Sequence, residues 1–514
     1  MKKIILSFAS ILFLFSCESY LDVNEDQTNN ADASNLTPNK MLGGAINNYV
    51  THQQITMNSF GNEMSYVWAL NTGYTSSSTR LSFDFTSADE VGLFENAYIF
   101  ADNFQDIIDK KDVDPRYSYH FAIAKLFKVI TMDNVVALYG DVPYSQAFKT
   151  DIPQPKYDDD VTIYPKFFAE LDEARDLINN PNADVVALGA EDIVFQGNTA
   201  KWLEYINTIE LRILMRLSKT TNASLITLRN NRFAILNPVF ISANVTSNPG
   251  YGDATIGQRN PIARVYGINA AGDAFLGGYQ QNAAASFASK MLLGQINTAD
   301  ISNGVVDPRR PRHFTAVTNT DQGVSPATAV ARMAGFYTGR TGSAGGPATS
   351  AAARRNAYLM QLAESYFLQA EAVQRGYMAG SAQALFDQGI QASFAFYNDY
   401  SFTDLPNGTL NPATYMTAIS TKNGLGWAAS ANKINCIINQ KYLALMQWNG
   451  MELYLDHKRT GFPDLPLPSG NTKSSRPNRL IYPSSEYSTN SSNVPSISVA
   501  DLFVINSKTP AFLQ

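Results

Sequence analysis

A mainly α fold is predicted, on three observations. Apolar residues recur at steps of three and four along several runs between residues 116 and 459, as in helices with one buried face. These runs pair across short breaks, each pair about 35–45 residues long, which is the period of helical repeats. Residues 235–350 lose that period and turn to Gly, Asn, Ala and Ser. The pattern points to a tetratricopeptide-like helical-repeat scaffold with long irregular loops. No clean consensus repeat is present, and an irregular α-helical bundle is the alternative.

The first residues stand apart from that scaffold. Met1-Lys2-Lys3 is basic, residues 4–15 are almost wholly apolar, and Ser16-Cys17 closes the segment. A basic start, a short apolar middle and a small residue before the cut mark an export signal. The apolar run is shorter than the roughly 20 residues that cross a bilayer. Ser16 before Cys17 resembles a bacterial lipobox, with Phe15 bulkier than usual; an ordinary secretory signal with a coincidental cysteine is the alternative. On the lipobox reading, residues 1–16 are a lipoprotein signal peptide, the Cys17 thiol carries the lipid, and 17–38 form a polar leash. Acyl chains gain about 0.8 kcal/mol per buried methylene, so two or more hold a protein at a membrane surface. Asp22, Asn24 and Asp26 suggest a calcium loop, but Ala33 stands where an EF-hand needs Glu.

Residues 39–514 read as one helical domain with a loop-rich insert at about 235–357. Helices are predicted over 39–56 and 88–110, with an irregular stretch at 60–85 between them. From Arg116, the residues Tyr119, Ile123, Leu126, Phe127 and Ile130 share one face until Gly140 and Pro143 stop the helix. A second helix begins near Thr162. Asp158, Asp159 and Asp160 precede it and suit its N-terminus as a solvated cap rather than a metal site. Asn198 or Thr199 caps a third, on which Trp202, Ile206, Ile209 and Ile213 repeat. Asn207 lies near its apolar side and needs a hydrogen-bond partner, since going without costs of order 1–3 kcal/mol. The insert holds a short helix over 285–293 and a near low-complexity run over 338–350. Helices return at Tyr358; Gly376 and Ser381 divide them into an αα-hairpin reaching about Asn398. A last pair, 433–448 and 452–459, breaks at Asn449-Gly450.

The totals narrow the function. Net charge is −6, or −8 without Lys2 and Lys3, and no Lys/Arg cluster appears, which argues against nucleic acid. If Cys17 carries lipid, Cys436 has no disulfide partner; it sits in an apolar helical run as a small buried hydrophobe. No later apolar run is long enough to cross a membrane.

Several segments, taken in order, resemble the SusD/RagB family of nutrient-binding outer-membrane lipoproteins, and its SusD-like branch more closely. They are Tyr20-Leu21-Asp22-Val23-Asn24-Glu25-Asp26; Leu138-Tyr139-Gly140-Asp141-Val142-Pro143-Tyr144; 197–216 with Lys201-Trp202 and Asn207-Thr208-Ile209-Glu210-Leu211-Arg212; and Ala363-Glu364-Ser365-Tyr366-Phe367-Leu368-Gln369-Ala370-Glu371-Ala372. Gln440-Lys441-Tyr442, Lys458-Arg459-Thr460-Gly461-Phe462-Pro463, and Arg479-Leu480-Ile481-Tyr482-Pro483 with Glu486 complete the set. Gln27 and Lys458 depart from residues common in the family. The resemblance implies a mostly helical, tetratricopeptide-like fold with long loops and a few short strands. It also implies a lipid-anchored, surface-exposed outer-membrane protein that hands oligosaccharide or oligopeptide to a SusC-like TonB-dependent transporter, with no cofactor. The quoted motifs read as scaffold rather than ligand site.

The competing class is an exported, lipid-anchored hydrolase acting on glycans or peptides. His52, His120, His313 and His457 are scattered, and no H-E-x-x-H, G-x-S-x-G or G-x-x-x-x-G-K is present. No catalytic residue and no metal site is assigned. Carbohydrate and peptide ligands both stack on exposed aromatics. Tyr66, Trp68 and Tyr74 lie together in a Gly/Ser/Thr/Asn-rich stretch and are the first ligand candidates; Trp427, beside Gly424 and Gly426, is a reserve. The alternative is that Trp68 plugs the stretch onto the scaffold. Trp202 and Trp448 lie on helical stripes and read as core.

Overall fold

The chain enters its fold at a proline. Pro38 opens α1 (Pro38–His52), where its missing N–H leaves no helix bond unmade. This computed structural model describes residues 36–70, 78–267, 269, 276, 282–294, 304–314, 321–324, 353–398 and 409–514. Cys17, the expected leash as far as residue 35, Tyr74 and 338–350 lie outside the described residues, while Pro38, the last residue expected in the leash, already belongs to α1. A π-helical turn, Gln53–Met57, carries α1 into α2 (Asn58–Met64). The stretch expected to be irregular from residue 60 therefore begins as helix, then gives β1 (Trp68–Leu70) and a short α3 (Ser78–Ser82). The turn is tied across the molecule: buried Gln53 and Gln54 donate to the carbonyls of Leu359 and Tyr358 at 3.0 and 2.6 Å.

Four long helices then pack in chain order, each on the next: α4 (Val91–Asp109), α5 (Ser118–Tyr139), α6 (Asp160–Asn179) and α7 (Thr199–Arg216). α5 is buried along nearly its whole length, with its Lys125, Lys128 and Asp133 paired to charges on neighbouring helices. Gly140, at φ +76°, ends it, and β2 (Val142–Pro143) pairs antiparallel with β3 (Tyr157–Asp158). The Asp159 carboxylate caps α6 by accepting from Val161 N, and Asn198 caps α7 by accepting from Lys201 N. Asn207 finds the partners its position demands: it accepts from Arg175 Nε at 2.9 Å and donates to Val239 O at 3.0 Å.

α8 (Ala223–Ile235) leads into the insert, which opens with β4 (Val245–Ser247). Its further described elements are α9 (Pro261–Tyr266), β5 (Asn282–Ala284), α10 (Ser286–Leu292) and α11 (Arg310–His313). β5 pairs antiparallel with β1. At Tyr358 the helix predicted from sequence is instead a strand, β6 (Ala357–Met360), antiparallel to β4. All four of its residues are buried, and a short apolar run carries no period that separates strand from helix. α12 (Leu362–Gln374) and α13 (Ala382–Asn398) pack as the expected hairpin, followed by α14 (Pro412–Ile419), α15 (Lys433–Leu445), α16 (Gly450–Thr460) and α17 (Ser484–Thr489). Trp448 is buried as expected, but in the turn after α15 rather than on a helix.

The apolar residues form two clusters. The first joins α1, α2 and α4–α7, and takes in Ala511, Phe512 and Leu513 near the C-terminus. The second joins β1, α9, α10, α13, α15 and the turns around them. α12 and α16 contribute to both and form the seam. Charge is buried there. Arg212 meets Glu364 at 2.9 Å, and Arg216 meets Asp133 and Glu452 at 3.0 and 2.9 Å. Lys441 meets Asp456 at 2.8 Å, and Arg459 bridges Asp456 and Glu371 at 2.8 and 2.5 Å. Burial alone would raise the Asp456 carboxyl, yet Lys441 and Arg459 hold it down at about 2. α2 and α16 cross with backbones touching: a Cβ on Gly61 would lie 2.1 Å from the Gly450 carbonyl carbon. Asn58 and Asn62 lock the crossing, accepting from Gly450 N at 2.8 Å and Gln447 N at 2.9 Å.

Candidate functional site

After α2 the chain must turn sharply to enter β1, and Tyr66 makes the turn in the left-handed region, at φ +60°. That conformation is held from several sides. The Tyr66 hydroxyl accepts from Gln322 N at 3.3 Å and lies 3.4 Å from Asp321 Oδ1. Gln322 Nε2 donates to the carbonyls of Glu63 and Trp68, both at 2.7 Å. The Tyr66 ring meets Phe287 edge-on, with the Arg476 guanidinium 5.7 Å from its centre, and Trp68 meets Tyr266 at 5.6 Å. Burial, then the Asp321 carboxylate, push the Tyr66 phenol up to about 12.

Tyr66 and Trp68 are only 1% and 0% exposed. As placed, neither ring offers a face to a ligand; burial fits the plugging role, with these residues fixing the insert onto α2. Of the ligand candidates, Tyr66 and Trp68 are thus placed inside the fold, while Tyr74 lies outside the described residues. Trp427 is half-buried in the turn between α14 and α15, against Phe386 at 5.5 Å. Lys433 donates to Trp427 O and Ser430 O at 2.6 and 2.7 Å, and its ammonium lies 5.4 Å from the Trp427 ring centre. Ser430 closes the turn, donating to Gly426 O at 2.6 Å and accepting from Gly424 N at 2.9 Å.

Several of the segments outside the described residues between 71 and 408 share an anchor. Trp68 and Ala69 precede one; Tyr266 and Ala285 flank another; Leu292, Val305 and Phe314 border two more; Tyr397 and Leu410 flank the last. All nine side chains belong to the second cluster. The sequence could not show this, because the anchors are scattered over more than 300 residues.

The histidines and Cys436 are tied into the scaffold. His52 and His313 are buried, and burial lowers them to about 4 and about 3. His120 is buried against Glu191 at 2.9 Å, and His457 Nδ1 donates to Pro463 O at 2.9 Å. Cys436 is buried, donates to Lys433 O at 3.2 Å, and has its thiol pushed up to about 11 by burial. Asp141, Asp159 and Asp160 bring carboxylate oxygens within 4.8 Å of one another. Each already accepts a backbone N–H: Asp141 from Asp160, Asp159 from Val161, and Asp160 from Ala511. The cap expected at Asp158–Asp160 is thus also a latch for the C-terminal residues, and Asp160 is buried rather than solvated.

Among the described residues no helix is long and apolar enough to cross a membrane. No curated protein matches the chain. Solved structures share its fold. A chitin-binding SusD homolog from Flavobacterium johnsoniae superposes with a TM-score of 0.66 at 20% identity, over 90% of this chain and 94% of that one. A SusD homolog from Bacteroides fragilis gives 0.69 at 18% identity, over 89% and 95%. One from Bacteroides uniformis gives 0.61 at 23%, over 88% and 94%. A SusD-like family model, described as starch-binding and associating with the outer membrane, matches residues 29–483. With that match covering most of its length, the chain belongs to the SusD-like family.

Proposed function

We propose that this protein is a surface lipoprotein of the outer membrane, anchored through Cys17, that binds oligomeric nutrients and delivers them to a SusC-like TonB-dependent transporter. What supports the reading is the division of labour in the fold: a stack of long helices, and a second core whose residues border several of the segments outside the described residues. Binding residues concentrate on loops held by a rigid scaffold. A glycan ligand is favoured by the family's starch-binding description and by the chitin-binding relative of like fold. Trp427, half-exposed in a tightly bonded turn, is the partly buried aromatic packed against the second core among the described residues and is the candidate to meet it.

The protein binds without chemistry on this reading. Three of its four imidazoles are buried, and the fourth is tied to a carbonyl, so no free histidine base stands at the surface. The test is co-purification. Extraction of native membranes in mild detergent should recover this protein with a TonB-dependent transporter in near-equal amount, and Cys17→Ala should lose the membrane fraction. Recovery of the protein alone, where other such pairs survive, would defeat the delivery role. Shortening of maltooligosaccharide or chitooligosaccharide that persists on repurification and vanishes with one carboxylate would favour the hydrolase instead.

A further inference from the structure

A cleft of about 420 Å³ opens on the helical stack, far along the chain from the insert, between α4, the 144–149 turn and α6. Its volume lies within the range of small-ligand sites, roughly 300–1,000 Å³. Three lysines, Lys128, Lys149 and Lys166, face three acids, Asp109, Glu170 and Glu173. The wall is fixed before any ligand arrives. Tyr144 donates to Glu170 Oε1 at 2.6 Å, and Lys128 reaches the same oxygen at 3.0 Å. The Lys128 and Lys166 ammoniums lie 5.1 and 5.9 Å from the centre of the Tyr144 ring. The rim is different. Lys149 is exposed and has no ion-pair partner among the described residues. Phe148, half-buried beside Tyr98 at 5.7 Å, sits at φ +61°. A left-handed backbone strains a bulky residue, and glycine would take the same turn freely.

We propose that this cleft is a second saccharide site, taking one or two rings of a neutral, hydroxyl-rich glycan. Balanced charge favours neither an anion nor a cation. Hydroxyls can both accept from Lys149 and donate to Asp109 or Glu173, so one neutral ligand uses both signs of the rim. The strained Phe148 supplies the flat apolar face that the ring C–H groups require. The site goes beyond the delivery role and rests on that reading only for its class of ligand.

Calorimetric titration of the mature chain with maltose and with N,N′-diacetylchitobiose tests this. One of the two should show a binding component that Phe148→Gly weakens at least about tenfold. Phe148→Gly should shift the melting temperature by only a few degrees, because glycine relieves the turn. Lys149→Glu, which unbalances the cleft without touching its packing, should weaken the same component and serves if Phe148→Gly does not fold. Trp427→Ala should leave that component in place. Equal affinity and stoichiometry in the wild type and in both cleft variants overturns the proposal, as does absence of binding by the wild type at millimolar sugar. Loss seen with Trp427→Ala alone overturns the cleft site but leaves the delivery role standing. Loss seen with the cleft variants alone supports the cleft and counts against the loop-side site.

Discussion

The two cores bury similar aromatic and aliphatic side chains but are assembled in opposite ways. The first is built largely from helices that follow one another, α4 to α7, over residues 91–216. The second is collected from afar: Tyr66 and Trp68, then Tyr266 and Phe287, then Phe314, Phe367 and Trp448. Local assembly gives a stack in which each helix packs on the next one in the chain. Assembly from afar leaves long stretches of chain between the contributing pieces, several of them bordered by residues of that core. One seam, α12 and α16, joins the two modes.

The seam is where the contrast breaks most severely. Gly61→Ala would set a methyl carbon 2.1 Å from the backbone of α16, in a crossing that touches both cores. Neither backbone can yield without moving its helix, so a loss of more than about 4 kcal/mol is expected, at the extreme of single substitutions. Gly44→Ala is the control. Gly44 is exposed on α1, and a methyl group there would meet nothing within 4 Å. That substitution should gain about 0.5–1 kcal/mol through helix propensity. Urea unfolding measures both; a Gly61→Ala protein as stable as its parent would refute the touching-backbone account.

Trp68 sharpens the second core. Its ring is fully buried against Tyr266, so Trp68→Ala should cost about 3–5 kcal/mol of stability. A ligand contact at Trp68 would behave in the opposite way, losing binding at an unchanged melting temperature. Should the melting temperature hold while ligand binding falls, Trp68 opens to ligand and the second core is looser than its packing implies.

What the sequence disclosed follows the same division. Gly140, Asn198 and the stripe through Trp202 declared the first core because caps and periods are local signals. Family motifs were legible for a related reason: Arg212, Glu364, Glu371 and Arg459, all quoted from sequence, turn out to be the buried charges of the seam. β1 was illegible, since its partner β5 lies over 200 residues away and nothing near Trp68 announces it. β6 looked like the start of a helix for the same reason. The cleft was equally hidden, because Lys128, Phe148 and Glu170 meet only when α5, α6 and the turn between them fold together.

Acid separates the cores by their histidines. His52 ends α1 beside Phe100, and His313 lies on Tyr397 in the second core. Both are held neutral by burial, down to about 4 and about 3. The unfolded chain protonates them near pH 6.5. Stability from both is therefore complete above that pH and is lost as pH falls from about 6.5 towards 4 and 3 respectively. Each pKa unit corresponds to roughly 1.4 kcal/mol, so a few kcal/mol are at stake. His313→Gln should flatten the decline below pH 6 in urea titrations at stepped pH. An unchanged slope would mean that His313 is already solvated in the folded state.

The smallest effect bears most directly on function. Trp427 is the half-exposed aromatic of the second core, braced by Phe386 and by Lys433, whose ammonium also holds two carbonyls of the turn. Removing the ring leaves those two hydrogen bonds intact, because both acceptors are backbone oxygens. The turn should keep its shape, and the melting temperature should move little. If the ring meets ligand, Trp427→Ala should weaken glycan binding by about 2 kcal/mol, the lower bound of an aromatic hot spot. Lys433→Met separates the two roles: it keeps the ring but frees the turn, and should lower both stability and binding. Equal losses of stability in the two variants, with binding unmoved in Trp427→Ala, would make Trp427 a second plug like Trp68 and shift the ligand surface to the loops themselves.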